Sequence, residues 1–534
     1  MFLKGFVCAL LLTAIAAKHY TLDKNLNVEE VSGEAAEVLK SAPHVVATSN
    51  FVDNLNTTGW TYFTVHTNEL LPDFLQTYGA GYLEGYLAYN YVWAAWKNND
   101  IDFQQSGFKK MPANVTEYIH NQINWALQMI TDNPNDNYWK LVNATISQLR
   151  GIYDGFIAGA IKNKRTDMII TFDEFYLITY DVDLGDVFSK FIPIEVADLH
   201  EPRCSFLLKM TEDDLYVSHV TWSNYFDLIR MYKVYNFNLQ NPLVNTKRMS
   251  LSAQPGSVAS IDDWYILDNN RVVTETTIGN SNDDLYSYLH YDSLPYWIRV
   301  TVANLAFTDQ QSWADTYYKY RSGTYNNQWL VIDFNNYNAS KSHLTQAKNI
   351  IWMIEEFYNL TKAQDVTQTL LIPQGYVASY NVPYDPAIQE LSQDDTNYTT
   401  DPRYHLFKKY APGIKNFDDF RYVMRLNNVS DTGDVCSAIA SRCDLDDTED
   451  EPSGAIDAKT TSSRLVTDHQ AWIISGPTTI VDLPPFTWSR WPQFEKKVAS
   501  MPEIFDFDWV LVSPSQNFSS VIHSTQSTIE SISW

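Results

Sequence analysis

The spacing of apolar residues changes character partway along the chain. "YLEGYLAYNYVWAAWKNN" and "VTEYIHNQINWALQMITDNP" carry aromatic and aliphatic residues on recurring helical faces. In "DNYWKLVNATISQLRGIYDGF", Trp139, Val142, Ile146, Leu149 and Ile152 recur at helical spacing, as a core-facing stripe would. "TDMIITFDEFYLITYDVDLG" fits either a strand or a buried helix. From Cys204 onward the runs shorten. "CSFLLK" and "DLYVSHVTW" flank an acidic turn and predict a hairpin; "WYILDNNRVVTETT" predicts a second, turned at "DNN". "QWLVIDFNNY" reads as another strand. "SHLTQAKNIIWMIEEFYNL" reads as a helix with Ser342 as N-cap, and "DLDDTEDEPSGAIDAK" as a solvated loop. The pattern predicts an α+β fold in which helices cover a β-rich centre, without internal repeats.

Composition narrows the function. Of 534 residues, 45% are hydrophobic and 14% aromatic, which excludes a disordered or collagen-like chain. The net charge of −26 repels a phosphate backbone, so no nucleic-acid partner is expected. The same acidity suits a compartment of low pH, where carboxylate protonation relieves self-repulsion. "MFLKGFVCALLLTAIAAKHY" has a basic n-region at Lys4, a short apolar core and small residues before the cut. Residues 1–17 are therefore expected to be a secretory signal peptide, cleaved after Ala16 or Ala17. No later segment has the length of a transmembrane helix, so no membrane anchor is expected. Eight glycosylation sequons, at Asn56, Asn114, Asn143, Asn338, Asn359, Asn397, Asn428 and Asn517, agree with passage through the secretory pathway.

Cys8 leaves with the signal peptide, and Cys204, Cys436 and Cys443 remain. Cys436 and Cys443 in "CSAIASRC" are spaced to close a small disulfide loop. Cys204 is left over, as a reactive thiol, an inter-chain partner or a buried inert group. There is no Gly-rich phosphate loop and no His/Cys cluster at metal-ligand spacing, so neither metal nor cofactor is expected. A cysteine becomes a nucleophile when paired with histidine, held at a helix N-terminus, or made the first residue of a new chain. In the last case the freed α-amino group, with an ordinary pKa near ~8, serves as base. His219 closes the strand paired with that of Cys204, and a hairpin brings its outer ends together, so the two are expected to be neighbours.

The stretches "QLRGIYDGF", "CSFLLK…VSHVTWSNYFDLIRMYKVYNFNL", "SLSAQPGSVASIDDWYIL…VVTETT", "SGTYNNQWLVIDF", "SYNVPYDPAIQEL" and "GAIDAKTTSS" follow one another along the chain. On these, the chain resembles the phospholipase B-like (lamina ancestor) family, whose members are similar to N-terminal nucleophile hydrolases. The resemblance implies a four-layer αββα sandwich. It also implies self-cleavage between Arg203 and Cys204, with an N-terminal chain of residues 18–203, mostly helical, and a C-terminal chain of 204–534. The two would stay associated as one folded unit, and a homodimer remains open. Cys204 is then the nucleophile, with His219 and Asn327 as catalytic partners and Trp222, Thr276, Thr277 and Asn326 lining the substrate and oxyanion pocket. Arg321 stands where the family usually has asparagine, and Arg203 where a small residue or histidine is expected. The implied activity is release of fatty acids from glycerophospholipids. The alternatives are an amidase acting on acylated small molecules, or a non-catalytic glycoprotein that binds lipid or a partner. The expected location is the lysosome or the extracellular space.

Overall fold

In the computed structural model, which describes residues 17–105, 107–192, 203–514 and 522–523, the strands collect into two large sheets. The larger has eleven strands, in the order Leu360–Asp365, Ile351–Phe357, Asn327–Asp333, Arg271–Thr277, Trp264–Leu267, Arg248–Ala253, Arg230–Asn236, Trp60–Thr67, Val45–Asn54, Lys18–Asp23 and Val28–Val31. Its pairings are antiparallel except between Trp60–Thr67 and Arg230–Asn236, which run parallel in the register Trp60↔Arg230. The second sheet is centred on the hairpin Arg203–Met210 and Leu215–Asn224. Tyr376–Ser379 lies on one side of the hairpin and Asp457–Ser462 on the other.

Alternation along the strands builds three apolar layers. Tyr62, Tyr232, Val234, Ile266 and Val272 of the larger sheet meet Phe206, Leu208, Val217, Val377 and Ile473 of the smaller one in a core between the sheets. The outer face of the larger sheet packs against the long helices Asp73–Leu87, Ala113–Asp132, Asn137–Lys162 and Phe172–Phe191. The outer face of the smaller sheet packs against Pro402–Tyr410 and Phe417–Met424 through Leu406, Phe407, Phe420 and Val423. The chain is thus α+β, with strands buried on both faces. Helices Asp73–Leu87 and Asn137–Lys162 cross backbone to backbone. A Cβ on Gly85 would lie 1.9 Å from the Ile152 carbonyl oxygen, and one on Gly155 would lie 2.1 Å from that of Tyr82.

The ambiguous stretch before residue 192 is a helix, Phe172–Phe191. It opens with a capping box in which Thr171 Oγ1 accepts from the Glu174 amide and the Glu174 carboxylate accepts from the Thr171 amide. The "DNN" turn holds Asn269 and Asn270 at φ 62° and 56°, the left-handed conformation that asparagine tolerates.

One stretch carried no reading, and two expectations need correction. First, four strands lie between Lys18 and Thr67, ahead of the long helices. Val45–Asn54 and Trp60–Thr67 are buried on both faces, so neither shows a clear polar alternation. Second, the helix expected to follow Ser342 is instead the strand Ile351–Phe357, preceded by a short 3-10 turn at Leu344–Gln346. Ile351 and Met353 enter the inter-sheet core while Ile354 packs on the helical side. An apolar run that is buried on both faces has no period to read. Third, the acidic "DLDDTEDEPSGAIDAK" is a surface loop only in part. Ser453–Ala455 and Asp457–Ser462 are buried strands, and Asp457 is fully buried between Arg230 and Lys459.

Candidate active site

Cys204 is the second residue of the strand Arg203–Met210 and the free cysteine of the described residues; its side chain is fully buried. Residues 193–202 lie outside the described residues, and the Arg203 side chain with them. Both backbone groups of Cys204 are held by side chains from far along the chain. Its amide N–H donates to Asn381 Oδ1 at 2.8 Å, and its carbonyl accepts from Arg403 Nη1 at 2.7 Å. The same Nη1 donates to Asn381 Oδ1 at 2.9 Å, and Nη2 donates to the Tyr380 carbonyl at 2.5 Å. Asn381 sits at φ 70° and donates through Nδ2 to the Thr277 carbonyl at 2.8 Å. Asn381 falls within the "SYNVPYDP" stretch, but nothing in the sequence singled it out. Arg403, just inside the helix Pro402–Tyr410 capped by Asp401, carried no signal at all.

The thiol is pushed up by burial first and then by the charges of Glu275 and Asp263; the Trp222 backbone N–H and Lys459 pull it the other way. Those groups form two buried ionic clusters, also missed from sequence. In one, Tyr325 Oη lies 2.7 Å from Asp263 Oδ2 and 2.8 Å from Glu275 Oε1, its single proton serving one of the two, and Tyr296 Oη lies 2.9 Å from Asp263 Oδ1. Burial pushes both carboxylic acids up, and they hydrogen bond to one another. In the other, Lys459 Nζ bridges Asp457 at 2.8 Å and Thr221 Oγ1 at 2.6 Å, while Arg230 pairs with Asp457 at 2.8 Å and with Asp262. Burial lowers Lys459 to about 8, and the Lys459 and Arg230 charges hold Asp457 near 2 against the opposing effect of its own burial.

His219 is a diagonal neighbour of Cys204 in the hairpin. Thr221 stands opposite Cys204, and His219 stands opposite Phe206. Its Nε2 lies 2.8 Å from the Glu275 carbonyl, which only accepts, so this nitrogen carries the proton. Its Nδ1 faces Thr221 Oγ1 at 3.5 Å. Burial and the Lys459 charge hold the ring far below the usual histidine range, so the imidazole is neutral and ties the two sheets together.

Thr276 faces the same gap between the sheets and hydrogen bonds to Ser379 Oγ on the strand beside Cys204; its Oγ1 also accepts from the Asn381 amide at 3.3 Å. Thr277 and Asn327 pair across the strands on the helix-facing side. The Asn327 amide is fully buried, and neither its Nδ2 nor its Oδ1 has a hydrogen-bond partner among the described residues. The Asn326 side chain is engaged at both ends, accepting from the Tyr358 amide at 2.7 Å and donating to the Gly323 carbonyl at 2.9 Å. Trp222 turns to the outer face of its sheet. There its ring lies 4.7 Å beneath the Arg403 guanidinium and its Nε1 donates to the Ile439 carbonyl. Arg321 donates to the Asn359 carbonyl at the protein surface.

Cys436 and Cys443 form the expected disulfide. Of the sequon asparagines, Asn56, Asn114, Asn338, Asn359 and Asn397 are exposed and Asn143 and Asn428 half-buried, while Asn517 lies outside the described residues. Residues 1–16 of the expected signal peptide, 1–17, also lie outside them. No helix among the described residues is long and apolar enough to cross a membrane.

The profile of the family described as Phospholipase B matches residues 47–512, a span that takes in most of both sheets and every residue of the Cys204 network. The chain is 34% identical over 498 residues to "Phospholipase B-like protein B" of Dictyostelium discoideum, covering 87% of this chain and 85% of that protein. It is 29% identical over 488 residues to "Phospholipase B-like 1" of Rattus norvegicus, covering 86% of each. Against "Phospholipase B" of Crotalus adamanteus the identity is 28% over 504 residues, covering 86% of this chain and 87% of that protein. With the match running over most of the chain, including the hairpin that carries Cys204, the chain belongs to the phospholipase B family.

Proposed function

We propose that this protein is a self-cleaving N-terminal-cysteine hydrolase that releases fatty acids from glycerophospholipids. The observation that carries the reading is the grip on Cys204: a buried thiol whose amide and carbonyl are both fixed by distant side chains, Asn381 and Arg403. Cleavage begins when Cys204 Sγ adds to the Arg203 carbonyl carbon. The Arg203–Cys204 C–N bond breaks, the departing nitrogen takes the thiol proton, and water hydrolyses the thioester to free the Arg203 carboxylate and restore the thiol. The new α-amine stays on Asn381 Oδ1. The Arg403 charge beside it disfavours a second cation, which keeps the amine available as base.

In turnover the amine takes the thiol proton as Sγ attacks the substrate carbonyl. It returns the proton to the leaving alcohol, and water resolves the thioester. Thr276, in the gap between the sheets, lines the pocket, while Asn327 and Thr277 lie on the helix-facing side of the same strands and back it from behind. His219 positions the strand of Glu275 against that of Cys204. At acid pH the Asp263–Glu275 pair is protonated, which relieves its repulsion of a thiolate.

The three apolar layers support a four-layer αββα sandwich of the N-terminal nucleophile hydrolase type. The parallel pairing of Trp60–Thr67 with Arg230–Asn236 places both products of cleavage in one sheet, which favours their staying together. The names of the relatives favour a phospholipid ester as substrate. The nucleophile itself is equally suited to an amide, so the amidase is the second reading, and a lysosomal or secreted location accords with the exposed sequons. N-terminal sequencing and mass spectrometry test the first step. A fragment starting at Cys204 is expected from the wild type and must vanish in Cys204→Ala; an intact mature chain defeats the mechanism. Fatty acid release by cleaved protein at acid pH, from matched ester and amide substrates, then separates the two activities. Hydrolysis of neither leaves a binding glycoprotein.

A further inference from the structure

Glu355 lies on the strand Ile351–Phe357 with its side chain fully buried. Strand alternation puts it on the inter-sheet face with Ile351 and Met353. Gln328 stands opposite it on the next strand, and Thr276 stands opposite Gln328 on the one after. The three form a polar row across the larger sheet, against the segment 379–385 that leaves the strand paired with that of Cys204. No ion pair reaches Glu355 among the described residues. An acid buried without a cation is costly, and neither self-cleavage nor turnover uses this one directly.

Its hydrogen bonds lead to Cys204. The Tyr384 amide donates to Glu355 Oε1 at 2.7 Å and the Asp385 amide to Oε2 at 2.9 Å. Gln328 Nε2 donates to Oε1 at 2.8 Å and to the Val382 carbonyl at 3.3 Å. Ser379 Oγ donates to Gln328 Oε1 at 2.5 Å. That uses its one proton, so in the contact between Ser379 and Thr276 the threonine hydroxyl is the donor. Thr276 Oγ1 in turn accepts from the Asn381 amide at 3.3 Å, and Asn381 Oδ1 accepts from the Cys204 amide at 2.8 Å. From the Asn381 amide onward every donation points towards Glu355, and hydrogen bonds aligned in this way strengthen one another. Burial, and then the Asp385 charge, push Glu355 up to about 7 against the donations it receives. Oε1 accepts two of these and Oε2 one, which the neutral acid has the acceptor capacity to meet, so the anchor holds on either side of that value.

We infer that Glu355 is a positioning residue of the Cys204 site. It holds the segment 380–385 at two points, directly at Tyr384 and Asp385 and through Gln328, Ser379 and Thr276 at Asn381. It thereby sets Asn381 Oδ1 against the Cys204 nitrogen while touching no reacting atom itself. The effect on chemistry rests on the reading of Cys204 as a nucleophile; the placement of Asn381 does not.

The test pairs crystal structures with cleavage kinetics. In the Cys204→Ala protein, adding Glu355→Leu should leave both sheets in place and open the distance from the residue 204 nitrogen to Asn381 Oδ1 beyond about 3.5 Å. In the chain that keeps Cys204, Glu355→Leu should lengthen the half-time for appearance of the Cys204 fragment about tenfold or more. Glu355→Gln keeps an oxygen for Gln328 and Tyr384 but turns an N–H donor towards the Asp385 amide. It should displace residue 385 and slow cleavage less, about threefold, and it supplies both readouts if leucine prevents folding. Gly155→Ala weakens the helical layer away from this row and should leave the half-time unchanged, which separates positioning from loss of stability. Asn381 and Asp385 unmoved in the variants that fold overturns the proposal. So does a wild-type half-time in those variants, and so does equal slowing by Gly155→Ala. A wild-type chain that never cleaves, with Asn381 displaced in Glu355→Leu, defeats the nucleophile reading and leaves the placement of Asn381 by Glu355 supported.

Discussion

Replacing Arg403 by methionine keeps the length of the side chain and removes the guanidinium. That group makes three donations to buried acceptors, at 2.7 Å to the Cys204 carbonyl, 2.9 Å to Asn381 Oδ1 and 2.5 Å to the Tyr380 carbonyl. Hydrogen bonds to a charged partner contribute about 1.5–3 kcal/mol each when measured singly, but three on one group do not add. The stack over Trp222, at 4.7 Å, adds about 1 kcal/mol that methionine only partly replaces. Asp401, 3.4 Å from Arg403 Nε and largely buried, loses a cation. The expected loss is about 3–5 kcal/mol, the range for breaking a buried charged network by removing one partner. Urea denaturation of Arg403→Met in a Cys204→Ala background, where no cleavage complicates the transition, measures it. In the otherwise wild-type chain, Arg403→Met should also slow appearance of the Cys204 fragment, because the strand geometry at the scissile bond is no longer held. A loss below about 1 kcal/mol together with an unchanged cleavage rate would refute the assignment of Arg403 as the clamp on Cys204.

Three further outcomes follow from single sites. Asp183 is fully buried and pushed up to about 7 by burial, against the donations from Thr324 and Tyr296. From about pH 4 upward the unfolded chain releases this proton while the native chain keeps it until about 7. Stability should therefore fall across that interval by up to about 4 kcal/mol, and Asp183→Asn should flatten the slope of urea midpoint against pH. His219→Gln should retain measurable self-cleavage and lose about 1–2 kcal/mol of stability, since the neutral ring acts as a donor to the Glu275 carbonyl; abolished cleavage in a natively folded variant would return it to proton transfer. Gly155→Ala should cost about 2–4 kcal/mol in denaturant unfolding, because a methyl group 2.1 Å from the Tyr82 carbonyl oxygen forces two helices apart.

Local patterning sufficed for much of the framework. The helical stripe Trp139–Ile152, the hairpin that starts at Cys204, the asparagine turn before Arg271 and the Cys436–Cys443 disulfide each depend on contacts a few residues apart, and spacing encodes such contacts directly. What spacing could not supply was the second face of each strand. Ile351–Phe357 is buried by a sheet on one side and helices on the other, and its uninterrupted apolar run matched a helix as well as a strand. The same double burial hid the strands between Val45 and Thr67 and drew Asp457 out of an acidic run into an ion pair with Lys459.

The site divides in the same way. Cys204 stood out because it was the cysteine left over, and the resemblance on "SGTYNNQW" selected Asn326 and Asn327, but only packing distinguishes the engaged amide of the first from the unengaged amide of the second. Asn381 and Arg403 reach Cys204 from 177 and 199 residues away. The sequence by itself determined the nucleophile candidate, the hairpin that carries it and the secretory character expected of the chain, because each is written in residue type and short spacing. The tertiary structure alone decided which side chains clamp Cys204, that His219 is neutral, and that the acids around the thiol titrate high, because those properties arise from burial and from partners that meet only when two sheets close on one another.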